Sequence, residues 1–306
     1  MKISIIGANG MLSVALTKFF YAKEGVTVDV YGLEAPKGYE YDFFCQVNLL
    51  KDKLDYEKLA ASDVVVYASG AGVQAALKTD SSLMYALNVN APVEMTLQLK
   101  KHYFKGIYVS FGSYMEIGVN EEEGKSFKED EVVCSPLPVT NDYALSKRLY
   151  GRYMRDFSAD FTYYHFILPN MFSEDDLKPG TRLVPYTLQY LQDYTAGKNP
   201  TEPRFSAGLQ TRQFITLEEM ILTVDKALCS QIPSGIYNIG GGEFLSIRNL
   251  IERLFAIYGV PCKSEFFGQE VRRDGDIKSL CIDGSKLMNE LGHLPNSKIE
   301  DIFKVK

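Results

Sequence analysis

The stretch Ile5-Ile6-Gly7-Ala8-Asn9-Gly10-Met11-Leu12-Ser13 closes an apolar run that begins just after Met1 and opens an amphipathic one that lasts to about residue 22. A short apolar run, then glycines, then helical periodicity reads as strand, tight turn and helix. In that setting glycines let backbone amides approach a pyrophosphate, whose charge is favoured by the helix N-terminus. Two glycines three apart also make an ordinary strand-to-helix turn, so the rest of the chain must decide.

Working outward, the alternation repeats. Runs rich in Val, Ile, Tyr and Phe at 26–31, 64–68, 107–110 and 163–168 read as further strands, and their near-continuous apolarity suits strands covered on both faces. Helices are expected over 11–22, 83–102 and 143–157, the second starting or kinking at Pro92. The fold class is therefore α/β, a doubly wound parallel sheet. After Pro169 come a polar loop, a helix over 183–195 and the turn Gly197-Lys198-Asn199-Pro200, where a second, smaller unit begins. Further on, Ser246 is a plausible N-cap for an amphipathic helix over 247–258.

Composition narrows the functional classes. The chain has 306 residues, 46% hydrophobic and 24% charged, with a net charge of −6 spread along it. That pattern carries no electrostatic footprint for nucleic acid or anionic lipid. The first residues lack the order of a secretory signal, and no apolar run approaches the roughly 20 residues that cross a bilayer, so a cytoplasmic protein is expected. Five cysteines lie far apart, which points to reduced thiols and no metal site.

Ser110 at the end of one strand, followed by Tyr143-Ala144-Leu145-Ser146-Lys147 at the start of a helix, is the constellation that carries chemistry. Tyrosine and lysine four apart share a helix face. Moving a phenol from near 10 toward 7 takes about 4 kcal/mol of preferential phenolate stabilisation. A lysine ammonium and a nicotinamide's positive charge can supply it. Tyr194 and Lys198 have the same spacing but run into Gly197 and Pro200 with no serine strand before them. Ser113 is the backup for Ser110, and His165, alone in an apolar strand, reads as a core residue.

Together these motifs resemble the extended short-chain dehydrogenase/reductase family, in its NAD-dependent epimerase/dehydratase branch acting on nucleotide-sugars. The resemblance implies a Rossmann domain over 1–168, revisited around 212–240, and a nucleotide-sugar substrate domain from 169–211 and 241–306. Ser13 stands where the family's third loop glycine would be, and Gly32 where an acid usually holds the adenine ribose. It further implies cofactor contacts from Gly7, Asn9, Gly10, Met11, Leu12, Gly32, Glu34, Asn48, Leu49, Ser69, Gly70, Ala71, Asn88, Tyr143 and Lys147. Glu34 would favour NAD and Lys37 NADP, so that choice stays open. Ser110, Tyr143 and Lys147 would be catalytic, and Ser110, Asn170, Arg212, Arg273 and Asp276 would hold a nucleotide-diphosphate sugar.

In the family's dehydratases an Asp-Glu pair follows the catalytic threonine; Phe111 and Gly112 occupy those places here, which disfavours dehydration. The expectation is an NAD(P)-dependent enzyme of carbohydrate biosynthesis transferring hydride at C4 of a nucleotide-hexose, leaning to a 4-ketosugar reductase over a 4-epimerase. A non-catalytic NAD(P)-sensing homologue is the alternative of another class. Relatives commonly pair the helices over 83–102 and 143–157 across a homodimer.

Overall fold

The computed structural model describes residues 1–72, 79–272 and 277–303. The first half runs β1 (Lys2–Ile6), α1 (Met11–Tyr21), β2 (Thr27–Gly32), β3 (Phe43–Gln46), α2 (Tyr56–Ala60), β4 (Val64–Tyr67), α3 (Ser81–Tyr85), α4 (Ala91–Lys101), β5 (Ile107–Ser113), α5 (Glu129–Val133), α6 (Asp142–Asp156) and β6 (Thr162–Leu168). The second half runs β7 (Asn170–Phe172), α7 (Leu183–Thr195), β8 (Thr211–Thr216), α8 (Leu217–Ser230), β9 (Gly235–Asn238), β10 (Glu243–Ser246), α9 (Ile247–Ile257), β11 (Ser279–Leu280), α10 (Ser285–Leu291) and α11 (Ile299–Ile302).

Seven strands form one sheet in the order β3-β2-β1-β4-β5-β6-β9, parallel throughout. Chain order reverses at β1, whose neighbours are β2 and β4, and in such sheets the crevice at the strands' carboxyl ends is the natural ligand site. Every residue of β4 is buried because helices cover both faces. One face packs on Leu16 and Phe20 of α1, Met220 and Val224 of α8 and Leu287 of α10. The other packs on Leu59 of α2, Met95 and Leu99 of α4 and Tyr150 and Met154 of α6.

A smaller sheet is centred on β8, with β10 antiparallel on one edge and β7 and β11 parallel on the other. A third core, including Leu188 and Leu191 of α7 and Leu250, Leu254 and Phe255 of α9, lies with it. Because β8 belongs to this sheet, the chain returns to the large one through α8 and β9.

Three departures from the sequence reading have physical causes. Strand β3 was not foreseen: it is an edge strand with Phe43 and Gln46 exposed, so it lacks a continuous apolar run. The helix expected over 83–102 begins at Ser81 and passes through a π turn, Ala86–Asn90, immediately before Pro92. Proline has no N–H for the regular ladder, and the wider turn absorbs that loss. Most consequentially, β5 continues beyond Ser110, pairing Phe111, Gly112 and Ser113 with Phe166, Ile167 and Leu168 of β6.

Candidate active site

The glycine loop brings the ends of β1 and β4 together. Gly7 has φ +116°, and a Cβ on it would stand 3.1 Å from the Ser69 amide nitrogen and 3.2 Å from the Ala68 carbonyl oxygen. No side chain caps the N-terminus of α1, which leaves its first N–H groups for a ligand. Ser13 is buried and its hydroxyl donates to the Gly10 carbonyl at 2.9 Å, so serine at the expected glycine position tightens the turn from inside. Asn9 is exposed and donates to the Glu34 carbonyl at 3.2 Å, while Met11 and Leu12 are half-buried in the first helical turn.

The missing acid after β2 has a steric cause. A Cβ on Gly32 would lie 2.6 Å from the Ala8 methyl, closer than two carbons can approach, so the loop and this position exclude any side chain here. The Tyr39 hydroxyl donates to the Ala8 carbonyl and closes the same corner. Glu34 and Lys37 are both exposed beyond it. Asn48 accepts the Leu50 N–H at 3.0 Å in a local turn, with Leu49 half-buried beside it.

Beyond β4, Ala71 is clamped by Asn88 of the π turn. Oδ1 of Asn88 accepts the Ala71 N–H at 3.0 Å, and Nδ2 donates to the Ala71 carbonyl at 2.9 Å and to Ser146 Oγ at 3.0 Å. A Cβ on Gly70 would meet Asn88 Oδ1 at 3.0 Å and Lys147 Nζ at 3.9 Å, so Ser69-Gly70-Ala71 crosses directly over the lysine.

Tyr143 and Lys147 sit in the first turns of α6, whose N-cap Asn141 accepts the Ala144 N–H at 2.9 Å. Lys147 Nζ donates to the Phe111 carbonyl at 2.9 Å, which ties the helix to β5. The serine side chain that lies close enough to act on the Tyr143 phenol is that of Ser113. Ser110, expected to do so, is fully buried and lies 2.9 Å from His165 Nδ1 on the neighbouring strand. The correction follows from strand length: a serine three residues short of the carboxyl end lies within the sheet, whereas Ser113 is at its edge. Ser110 is thereby removed from both its catalytic and its substrate-binding assignments. The missed signal was Ser113-x-x-Glu116, a capping-box spacing that marks where β5 stops and a helical turn starts.

Electrostatics at the site also differ from expectation. Burial pushes the Tyr143 phenol up to about 12, with the nearby Ser113 hydroxyl working downward and Glu116 upward. Lys147 therefore does not acidify the phenol through the protein's own groups. Burial draws Lys147 down to about 8 against the opposing pull of Glu116. His165 is drawn down to about 3, by burial first and Lys147 second, and is a neutral core residue at physiological pH. Glu116, absent from the sequence reading of the site, is fully buried and pushed up to about 7 by burial.

The proposed substrate residues divide. Asn170 is half-buried on β7. Arg212 is only 4% exposed and donates to the carbonyls of Thr211 at 2.7 Å and Ile277 at 3.1 Å, so it organises the chain near residue 277 rather than offering an open fork. Arg273 and Asp276 lie outside the described residues. Among the described residues no group of three or more His, Cys, Asp or Glu could hold a metal ion, and no helix is long and apolar enough to cross a membrane.

Comparison with known proteins places this geometry. The family model for the NAD dependent epimerase/dehydratase family matches residues 3–240. A dTDP-glucose 4,6-dehydratase from Streptomyces antibioticus is 25% identical over 191 residues, 60% of this chain; the match spans 53% of that relative's length. Among solved structures, the Bordetella bronchiseptica enzyme WbmG in complex with NAD and UDP superposes with a TM-score of 0.74 at 18% identity, covering 98% of this chain and 91% of that one. The Thermus thermophilus UDP-glucose 4-epimerase complex with NAD gives a TM-score of 0.74 at 18% identity, covering 96% and 94% of the two chains. At these identities the structural likeness establishes the fold.

Proposed function

This chain belongs to the NAD dependent epimerase/dehydratase family, and we propose that it catalyses NAD(P)-dependent hydride transfer at C4 of a nucleotide-linked hexose, running as a 4-ketosugar reductase. The observation that carries the reading is the grouping of Ser113, Tyr143 and Lys147 at the carboxyl edge of the sheet, where Lys147 is tied to the Phe111 carbonyl beneath Gly70. With Ser113 as the active serine, the next two residues are Tyr114 and Met115. Neither is a carboxylic acid, so the Asp-Glu pair is absent in this register too and dehydration stays disfavoured.

The glycine loop at the switch point of the sheet and the uncapped start of α1 fit a dinucleotide pyrophosphate. Gly7, Asn9, Gly10, Met11 and Leu12 would hold it, with Gly32, Glu34, Asn48 and Leu49 on the adenosine side and Ser69, Gly70, Ala71 and Asn88 toward the nicotinamide. A dinucleotide bound there supplies the hydride and, when oxidised, a positive charge.

Tyr143 gives its proton to the C4 oxygen as that carbon is reduced, and Ser113 hydrogen-bonds the same oxygen. Lys147, fixed to the Phe111 carbonyl, would hold the nicotinamide ribose, and the positive charge of the oxidised dinucleotide would offset the phenolate's. Asn170 and the segment that Arg212 organises would contact the nucleotide diphosphate, with Arg273 and Asp276. The exposed Leu97 of α4 and Leu149 of α6 support a homodimer through those helices.

Mixing purified protein with a nucleotide-4-ketohexose and NADPH or NADH tests the reading. Loss of absorbance at 340 nm, with reduced sugar formed, is expected. No loss with either cofactor, together with inversion at C4 of a nucleotide-hexose on added NAD, would replace it by the epimerase reading.

A further inference from the structure

Beneath Ser113 and Tyr143 lies a carboxyl group that the chemistry above does not use. Glu116 is fully buried; Oε1 accepts the Ser113 main-chain N–H at 2.7 Å, and Oε2 has no hydrogen-bond partner among the described residues. Two glycines make its space. A Cβ on Gly112 of β5 would stand 2.6 Å from Oε1, and one on Gly151 of α6 would stand 2.7 Å from Oε2.

The groups facing this carboxyl are few. From α6 come the cations Lys147 and Arg148 and the Tyr143 phenol. Arg148 gives its protons to the carbonyls of Glu116, Leu137 and Ile117. From β6 comes the neutral His165, whose unpartnered Nε2 lies 2.8 Å from the Gly112 Cβ position. From α5 the apolar Val133 faces the Gly151 gap, and β11 carries no titratable side chain.

A buried carboxyl oxygen without a partner opposes folding, as do glycines within a strand and a helix. Strained arrangements of this kind, beside a proton-handling group, mark functional positions. We propose that Glu116 is a positioning residue for Ser113, Tyr143 and Lys147: its carboxyl anchors the Ser113 main chain below the Tyr143 hydroxyl, and its charge sets how readily that hydroxyl releases a proton. The catalytic meaning of this rests on the hydride-transfer reading; the electrostatic coupling itself does not.

The sign is fixed by simple electrostatics. An ionised Glu116 opposes a phenolate on Tyr143 and favours an ammonium on Lys147. Removing the charge makes Tyr143 the stronger acid. Glu116→Gln is the discriminating variant, since its amide oxygen can still accept the Ser113 N–H while the charge is lost.

The test is a carbon-13 titration of ζ-labelled tyrosine in the NAD-saturated protein, with Tyr143 assigned by comparison with Tyr143→Phe. In Glu116→Gln the Tyr143 midpoint is expected to fall by about one unit, and the alkaline limb of kcat to move the same way with KM for the nucleotide-sugar unchanged. A midpoint that stays put or rises overturns the proposal. If that variant does not fold, the wild-type protein decides: the Tyr143 signal must register the ionisation of Glu116 as an inflection near neutral pH, and a flat trace there overturns the proposal. Absence of turnover with a shifted midpoint would count against the hydride-transfer reading and leave the coupling standing.

Discussion

Ser110 is hydrogen-bonded to His165 at 2.9 Å, while Ser113, on the same strand, is the serine placed to act on the Tyr143 phenol. The two serines therefore have separable roles. Ser113→Ala should lower kcat by about 10²-fold, the size of losing one oxyanion donor, and cost about 1 kcal/mol in stability because the cap on the Met115 N–H is lost. Ser110→Ala should leave kcat within a few-fold but cost about 1–3 kcal/mol in stability, because His165 Nδ1 loses its buried partner. Steady-state rates and thermal melts on both variants decide it; the reverse pattern would restore Ser110 to the active site.

Gly32 and Ala8 should behave as a pair. Gly32→Asp places its Cβ 2.6 Å from the Ala8 methyl, overpacking that costs about 1–3 kcal/mol. We expect weaker binding of both NAD and NADP. Ala8→Gly in the same chain should restore binding and favour NAD over NADP, read by calorimetric titration. Tighter NAD binding by Gly32→Asp alone would contradict the steric account.

The pH dependence of stability should separate Glu116 from His165. Glu116 is raised by burial to about 7 from 4.5, so the folded state holds a proton that the unfolded chain has lost, and stability falls as pH rises between those values. The full cost above pH 7 is about 3 kcal/mol. His165 is lowered to about 3 from 6.5, so its contribution is present above pH 6.5 and is lost as pH falls toward 3. The two effects oppose each other where they overlap. The difference curve between Glu116→Gln and the parent removes the histidine: it should climb by about 3 kcal/mol from pH 4.5 to 7, whatever constant offset the amide adds. A level difference curve in urea melts across that range would show that the acid is not held protonated.

Much of the fold could be read from periodicity because β1, β4 and β6 are mostly buried and correspondingly apolar. Strand β3 was invisible for the opposite reason, its residues being half exposed at an edge. The Tyr143 and Lys147 positions were legible because a helix fixes which residues share a face. Ser110 read as the strand's last residue because apolar runs locate a strand but not its end, and Phe111-Gly112-Ser113 extends β5 with mixed polarity. Glu116 had no signature as a site residue in the chain alone. Its burial depends on Gly112 and Gly151, which come together only when β5 and α6 pack. Arg212 read as a phosphate fork, and only the fold shows its protons directed to backbone carbonyls.

Isotope transfer tests the central claim most directly. The protein would be incubated with a nucleotide-4-ketohexose and nicotinamide dinucleotide carrying deuterium at the reducing position, and the sugar examined by mass spectrometry and proton NMR. One deuterium at C4 of the product is predicted, and a rate reduced by about 10²–10⁴-fold in Tyr143→Phe. A reduced sugar without deuterium at C4, or full transfer in the phenylalanine variant, would contradict it.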